Sequence, residues 1–223
     1  MGEANCGLSV KLYVLIKMPV LKLRRGCLLL REVELRRSTL DILRRIERSR
    51  FYVIFYTADY GCAECEILEE LIKKEGLEDL IDLKIVITHD EESLDLATEE
   101  LGISGIPLLV VKNDNGILRI DDFEPEEQLR KLKEAIKHRI ELYNRLKKQY
   151  EEHARRISKL LGKKVVVNPK IIPLIIKRIE DFGKPYCPCR TERNEKTICP
   201  CFWHVDELKR YGRCKCGLFI TKH

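Results

Sequence analysis

Apolar and polar positions change their spacing several times along the central part of the chain. Continuous apolar runs of four to six residues predict strands buried on both faces of a sheet. Residues 51–56 and 108–111 are such runs, and residues 83–87 and 117–120, which are apolar except for one charged residue each, also predict strands. Asn115-Gly116, between residues 108–111 and 117–120, is a hairpin signal. The stretches before and between the strands have helical spacing at residues 38–48, 66–76 and 93–101. The alternation predicts a small α/β sheet.

The pattern becomes helical after Pro125. Apolar positions recur every three or four residues as far as Leu161, which is long for one globular helix. We therefore expect a break or bend near residues 143–148. A short extended piece at residues 165–167 and a helix over residues 171–181 follow. The spacing of apolar residues in this second half predicts a mainly helical domain.

The first 35 residues give weaker signals. Residues 10–16 and 27–35 are rich in Val, Leu and Ile and predict strands. Charged residues and a proline interrupt the apolar segment 8–23, so no membrane span is expected. Cys6 and Cys27 have no partner at a meaningful spacing, and we expect both to be inert. We treat residues 1–37 as an N-terminal extension in which the first strand or strands of the sheet are candidates.

Charge divides the chain into an acidic and a basic part. Residues 57–128 carry 21 Asp and Glu against 5 Lys and Arg, whereas residues 129–164 carry 13 Lys and Arg against 4 Glu. These are either two solvated surfaces, or a basic face that attracts an acidic protein or the chain's own acidic domain. The basic residues are not interleaved with aromatic residues, so nucleic acid is not an expected partner.

Composition points to an intracellular redox or metal protein. The chain has 223 residues and 10 cysteines. It has no recognisable signal peptide, so we expect a cytoplasmic location. Cysteines in that compartment favour metal or redox chemistry over a disulfide framework. A high content of Lys, Glu and Arg with only two Gln residues resembles the composition of thermophile proteins.

Cys62 and Cys65 begin a predicted helix directly after a predicted strand. The free N–H groups and the dipole at a helix N-terminus stabilise a thiolate, so Cys62 is the expected nucleophile and Cys65 the resolving thiol. Together with the Gly-Ile-Pro sequence that ends at Pro107, this arrangement resembles the thioredoxin/glutaredoxin family. The resemblance implies a domain over residues 38–142 and a cis Pro107 beside the cysteine pair.

Two features of this pair depart from that family. The usual Trp and Pro are missing, and Glu64 lies between the cysteines. An anion there is expected to raise the thiol pKa values. A degenerate fold with idle cysteines and a zinc half-site are the alternative interpretations.

Six cysteines form three Cys-x-Cys pairs near the C-terminus. They are Cys187 and Cys189, Cys199 and Cys201, and Cys214 and Cys216. Structural zinc sites usually use Cys-x-x-Cys spacing, which these pairs lack. A 4Fe–4S cluster needs four thiolates, and the remaining two are enough for a disulfide.

The segment from Tyr150 to Ile220 resembles the catalytic subunit of ferredoxin–thioredoxin reductase. The resemblance rests on the three ordered pairs and on the sequence Gly183-Lys184-Pro185-Tyr186 before them. It implies a domain over residues 143–223 and one 4Fe–4S cluster. Four cysteines would be its ligands, namely Cys187, Cys199, Cys201 and Cys214. The redox disulfide would be Cys189–Cys216, with Cys189 exposed and attacking.

This segment departs from the family in three ways. The first gap between the pairs is shorter and the second is longer than usual. Lys215 stands where the family has a histidine, and it supplies positive charge but is a poorer proton donor. His204, in the longer gap, is either a substitute proton donor or a surface or packing histidine. The family's partner subunit is not part of this chain.

The sequence thus predicts a ferredoxin-dependent disulfide reductase fused to a thioredoxin-like domain. A ferredoxin or similar protein supplies one electron at a time, whereas a disulfide needs two. The expected substrates are thioredoxin-like disulfide proteins, among them the chain's own Cys62–Cys65 pair, which tethering keeps at high effective concentration. The alternatives are a non-catalytic iron–sulfur sensor or electron carrier and a zinc-stabilised binding module.

Overall fold

The computed structural model describes residues 32–222. They divide into two compact units, residues 32–132 and residues 133–222. The predicted strand at residues 10–16, as well as Cys6 and Cys27, lie outside the described residues. Among those residues, no helix combines the length and the apolar character needed to cross a bilayer.

The first unit is organised around a five-stranded mixed sheet in the order β1-β3-β2-β4-β5. Strands β1, β3 and β2 are parallel, whereas β4 and β5 are antiparallel to their neighbours. The strands are β1 (Glu32–Glu34), β2 (Tyr52–Ala58), β3 (Leu83–Ile87), β4 (Leu108–Asn113) and β5 (Gly116–Ile120). The edge strand β1 falls inside the predicted strand of residues 27–35.

Four helices accompany this sheet in the chain. They are α1 (Leu40–Glu47), α2 (Ala63–Lys74), α3 (Glu91–Asp95) and α4 (Pro125–Ala135). Helix α1 buries Leu40, Leu43 and Ile46, as its spacing predicts. Helix α3 continues directly into a π-helical turn, Leu96–Glu100. Gly102 lies just beyond this turn in a left-handed conformation with φ of 59°. This arrangement confirms the predicted thioredoxin-like α/β fold of the N-terminal part.

The core of the first unit is almost entirely apolar. Strand β2 is central, and six of its seven residues are buried, as its continuous apolar run predicts. One polar side chain reinforces the sheet: Asp82 is buried, and its Oδ2 atom accepts a 2.8 Å hydrogen bond from the backbone N–H of Val53. The strands that precede the cysteine pair are therefore rigidly placed.

The second unit is mainly helical, as predicted. Its elements are α5 (Lys137–Leu161), β6 (Lys164–Val167), α6 (Ile172–Phe182), α7 (His204–Tyr211) and β7 (Phe219–Lys222). Strands β6 and β7 form an antiparallel pair. Tyr150 and Phe219 pack edge to face, with ring centroids 6.0 Å apart, and both are buried. Short 3₁₀ turns at Arg37–Thr39, Glu78–Leu80, Pro169–Ile171 and Glu195–Thr197 complete the described elements.

A buried ion pair joins two helices of this unit. The guanidinium of Arg139 in α5 donates two hydrogen bonds to the carboxylate of Glu180 in α6, at 2.6 and 2.8 Å. Their side chains are 8% and 5% exposed. We did not predict this ion pair, because in the sequence each of the two residues looks like one of the many charged residues on a helix surface.

The predicted break of the long helix near residues 143–148 is wrong. The interruption lies at Ile136, where φ of −107° and ψ of 15° leave the helical region, and α5 then runs unbroken for 25 residues. Neither proline nor glycine marks this position, so residue types alone do not reveal it. The sequence interpretation also missed α7 and β7, which are short.

Candidate redox sites

A sharp turn after β2 brings the first cysteine pair to the start of α2. Gly61 adopts φ of 72°, a left-handed conformation that glycine tolerates without strain. Cys62 caps the helix, and its Sγ accepts a 3.2 Å hydrogen bond from the backbone N–H of Cys65. The two cysteines form a disulfide with an S–S distance of 2.03 Å.

The two sulfur-bearing residues differ in accessibility. Cys62 is half-buried, whereas Cys65 is buried under the first turn of α2. Glu64 between them is exposed. An incoming thiol therefore reaches the sulfur of Cys62 more easily than that of Cys65.

The loop before β4 approaches the disulfide from the other side. The Ile106–Pro107 peptide bond is cis, and the carbonyl oxygen of Ile106 lies 4.0 Å from Cys62 Sγ. Gln128 in α4 is buried, and its Nε2 donates to the carbonyl oxygen of Pro107 at 3.0 Å. This hydrogen bond holds the proline loop in place beside Cys62.

Tyr60, just before the disulfide in the chain, pairs with a histidine that follows β3. The ring of exposed Tyr60 stacks on His89 with centroids 4.0 Å apart. His89 Nδ1 lies 2.6 Å from the carboxylate oxygen of Asp59. The sequence interpretation did not use this group, since His89 lies far from the cysteines along the chain.

The six C-terminal cysteines lie on three loops, and backbone hydrogen bonds tie the first two of these loops together. The N–H of Cys187 donates to Thr197 and the N–H of Cys199 donates to Pro185, both at 2.8 Å, so the first two pairs are joined directly. On the third loop, the N–H of Cys214 donates to the carbonyl of Phe219 at 3.0 Å. Regular helix or strand contributes little at this site.

The sulfur atoms of the three loops converge. The Sγ atoms of Cys187, Cys199 and Cys216 all lie within 4.8 Å of one another. Cys187 and Cys189 Sγ are 3.2 Å apart, and Cys214 and Cys216 Sγ are 3.6 Å apart. Two members of the close trio are predicted ligands and the third is a predicted redox thiol, so distance alone does not separate the two roles.

Burial divides the six cysteines into four and two. All six are free thiols in the structure. The four predicted ligands are buried: Cys187, Cys199, Cys201 and Cys214. Cys189 and Cys216 are half-buried, and their thiols lie close enough to influence each other's pKa. Their pairing in a disulfide stays a prediction.

Crowding of the thiols shifts their pKa values in opposite directions. Hydrogen bonds from neighbouring thiols, first that of Cys189, hold the pKa of Cys187 far below its usual range. The same hydrogen bond raises the pKa of Cys189 to about 12. The bond with Cys187 likewise raises the pKa of Cys201. One thiolate thus suppresses ionisation of its neighbours, and a bound cationic centre is what allows several thiols to ionise together.

Buried donors without acceptors surround the six cysteines. Three side-chain donors have no hydrogen-bond partner: Tyr150 Oη, Arg178 Nε and Arg190 Nε. Electrostatic interactions link each of these residues to cysteines of the cluster. An iron–sulfur cluster together with its thiolate ligands is anionic, and its sulfur atoms accept hydrogen bonds. The thiols, the unused donors and the two guanidinium cations of this site fit such a group.

The two predicted proton donors occupy different positions. Lys215 is exposed, and its backbone N–H donates to Glu207 Oε2 at 2.7 Å. His204 begins α7, and its Nδ1 lies 2.6 Å from the carbonyl oxygen of Cys201. Its Nε2 lies 2.8 Å from Nε2 of His153. His204 is thus part of a packed histidine pair, which favours the packing interpretation.

The sequence interpretation missed residues outside the Cys-x-Cys pairs that interact with the cysteines. Arg190 follows Cys189 directly and pairs with Glu207 at 2.5 Å. Tyr150 lies within the predicted helix but was counted only as part of its apolar stripe. A polar atom at the buried end of an apolar stripe is the signal that was available for Tyr150.

Comparisons with known proteins agree with this division of the chain. Residues 136–223 match the family model described as ferredoxin thioredoxin reductase catalytic beta chain. No curated protein matches the chain.

Similar chains among solved structures cover the other part. Thioredoxin f2 of Chlamydomonas reinhardtii is 14% identical, with 45% of this chain and 93% of that chain covered and a TM-score of 0.35. Thioredoxin O2 of Arabidopsis thaliana is 19% identical, with 47% and 92% covered and a TM-score of 0.36. A chain from a ferredoxin:thioredoxin reductase and thioredoxin f2 complex is 16% identical, with 47% and 94% covered and a TM-score of 0.35. The chain thus combines a first unit with a thioredoxin-like sheet topology and a C-terminal stretch, residues 136–223, that is similar to the ferredoxin thioredoxin reductase catalytic beta chain.

Proposed function

We propose that the protein is a ferredoxin-dependent disulfide reductase that passes reducing equivalents to its own thioredoxin-like domain. The observation that carries the proposal is the burial pattern at the six-cysteine site: four cysteines are buried, whereas Cys189 and Cys216 are half-buried. This pattern suits four ligands and one redox pair. The family match of residues 136–223 supports the same division.

In this proposal, one 4Fe–4S cluster is held by Cys187, Cys199, Cys201 and Cys214. When bound, the cluster supplies one-electron chemistry, which a pair of thiols alone does not offer. Tyr150, Arg178 and Arg190 present unused N–H and O–H groups towards this region. Their role is to balance negative charge in a site that water reaches poorly.

Cys189 and Cys216 form the redox pair. Two electrons and two protons convert their disulfide into two thiols. The Cys189 thiolate then attacks a substrate disulfide, so that one new S–S bond forms as the substrate's own S–S bond breaks. Cys216 next attacks the sulfur of Cys189, which restores the original disulfide and releases the substrate as a dithiol. Arg190, directly beside Cys189, supplies positive charge near the attacking sulfur.

The substrate that the chain itself supplies is its Cys62–Cys65 disulfide. Cys62 is the accessible sulfur of that pair, so the mixed disulfide is expected between Cys189 and Cys62. Covalent tethering raises the effective concentration of the two sites, and the acidic and basic stretches give opposite charges to the regions that carry them. The reduced Cys62 and Cys65 thiols then act on further disulfide proteins.

The donor in this proposal is a ferredoxin or another one-electron protein. Reduced thiols persist in the cytosol, and we place the protein there. Lys215, which follows Cys214 and precedes Cys216 in the chain, is the proposed source of positive charge and of protons at the redox pair.

The test follows the oxidation state of Cys62 and Cys65 directly. Full-length protein is reduced under anaerobic conditions with dithionite-reduced methyl viologen, and thiols are labelled with iodoacetamide and mapped by mass spectrometry. Wild-type protein is expected to expose labelled Cys62 and Cys65, and C189S to slow this by about 10³-fold or more, because the attacking sulfur is gone. Equal rates in the two proteins would contradict the proposal.

A second variant captures the intermediate. In C216S the resolving thiol is absent, so the mixed disulfide between Cys189 and Cys62 is expected to accumulate after an acid quench. The double variant C189S/C216S is the matched control and should give no such link. If C216S joins Cys189 to added thioredoxin but never to Cys62, the internal transfer is wrong although the reductase activity stands.

A further inference from the structure

Glu207 connects the two loops that carry the predicted redox pair. It lies in α7, within the stretch that separates the second and third cysteine pairs. Its Oε1 accepts a 2.5 Å hydrogen bond from Arg190 Nη2, and its Oε2 accepts a 2.7 Å hydrogen bond from the backbone N–H of Lys215. Each carboxylate oxygen therefore accepts a hydrogen bond from a different cysteine-bearing loop.

Both contacts lie next to the redox cysteines in sequence. Arg190 follows Cys189, and Lys215 precedes Cys216. The carboxylate thus spans the same gap that a Cys189–Cys216 disulfide would close. A change in its position moves both sulfur-bearing residues relative to each other.

Burial makes this connection stronger than an ordinary surface pair. The side chains of Arg190 and Glu207 are 19% and 16% exposed. The guanidinium of Arg190 also lies over the ring of Trp203, 4.6 Å from its centroid. Charge-assisted hydrogen bonds in such a shielded place are more persistent than exposed ones.

Residue chemistry explains why a glutamate occupies this place. A carboxylate has two acceptor oxygens and accepts from Arg190 and from the Lys215 N–H at the same time. A glutamine offers only one oxygen, and its NH₂ group faces one of the two donors without bonding it. Alanine removes both contacts and leaves the guanidinium of Arg190 without its partner carboxylate.

We propose that Glu207 is a positioning residue that holds Cys189 and Cys216 in register for disulfide formation. This role rests on the proposed function of the two thiols. It acts through the effective concentration of one sulfur at the other, since two groups held in place react far more readily than two that move freely. Glu207 itself exchanges no electrons.

The test measures the midpoint potential of the Cys189–Cys216 couple in the full-length protein. The protein is equilibrated anaerobically in mixtures of reduced and oxidised dithiothreitol, in which one dithiol is oxidised for each disulfide reduced. The two cysteines are then scored by iodoacetamide labelling and mass spectrometry. The variants are E207A, E207Q and, as a matched control, D206N, which changes the exposed neighbouring carboxylate.

We expect the change in midpoint potential to differ in size among the three variants. In E207A the equilibrium constant for forming the disulfide should fall at least tenfold, which raises the midpoint potential by about 30 mV. E207Q should fall between E207A and wild type, and D206N should equal wild type. An unchanged potential in both E207A and E207Q would overturn the role of Glu207.

Two further outcomes are distinguishable. If E207A does not fold, judged by the fluorescence of Trp203, E207Q decides the question alone. If wild-type protein forms no Cys189–Cys216 disulfide at any potential, the proposed function of the two thiols fails, and the positioning role fails with it.

Discussion

Cys62 and Cys65 share one turn of a helix, whereas the six C-terminal cysteines lie on three loops. In the first case the strand β2 and the helix α2 fix both sulfur atoms through regular backbone hydrogen bonds. In the second, two backbone hydrogen bonds join the first two loops, and the side chain of Glu207 contacts the first and the third. A single dithiol needs only a helix end, while a compact ligand set needs chain segments that approach from several directions.

The surroundings of the two sites differ in the same way. The sheet of residues 32–132 packs around an apolar core, and the polar side chains buried in the described part of this unit are uncharged except for Asp82. Residues 133–222 bury charged and polar groups, among them Arg139, Glu180 and the phenol of Tyr150. The first site should therefore tolerate changes in charge, and the second should not.

Removing one partner of the buried ion pair should show the largest effect of this difference. E180A leaves the guanidinium of Arg139 buried without its carboxylate, which is expected to lower the free energy of unfolding of this unit by about 3–5 kcal/mol. Trp203 is the one tryptophan of the chain, and its fluorescence during urea unfolding reports on this unit.

The matched variant lies in the first unit. Asp114 pairs with Arg50, but their side chains are 61% and 64% exposed. D114N should change the free energy of unfolding by no more than about 1 kcal/mol, followed by circular dichroism. Equal losses in E180A and D114N would show that the second unit does not depend on its buried charges.

Mild acid should weaken the second unit before the first. Burial, assisted by the nearby His204 and Arg156, lowers the pKa of His153 to about 4. An unfolded histidine takes up a proton near pH 6.5, so the unfolded state binds more protons between about pH 6.5 and 4 and stability falls through that range. In H153Q, the free energy of unfolding, monitored by Trp203 fluorescence, should therefore depend less on pH in this range.

The first unit has a different acid response. A short hydrogen bond from Thr88 lowers the pKa of Asp90, and the stability this provides is lost only as the pH falls below the usual carboxyl range. Circular dichroism between pH 6.5 and 4.5 should therefore change little for residues 32–132. A loss of sheet signal in that range that H153Q does not alter would contradict the comparison.

Much of the first site could be predicted because local sequence determines it. A buried run, a turn with Gly61 and a cysteine at the N-cap of α2 specify a thiol at a helix N-terminus. The resemblance also placed Pro107 beside the pair, and the structure has a cis bond there with Ile106 O 4.0 Å from Cys62 Sγ. Short-range patterns are sufficient for such a site.

The second site was predicted only in part, since contacts distant in sequence shape it. The three Cys-x-Cys pairs were evident, but their closest sulfur trio mixes predicted ligands with a predicted redox thiol. Glu207, Arg190 and Tyr150 act through the folded arrangement, which residue spacing does not encode. The helix break at Ile136 was also missed, because no proline or glycine marks it.

Iron and acid-labile sulfide analysis of the anaerobically purified protein tests the central claim most directly. The account predicts about four iron and four sulfide atoms per chain in wild-type protein, as a 4Fe–4S cluster requires. C65S, which alters only the helix-end site, should keep this content, whereas C199S, which removes a buried predicted ligand, should lose it. A colourless wild-type protein that contains zinc, or a C199S variant that retains all of its iron, would contradict it.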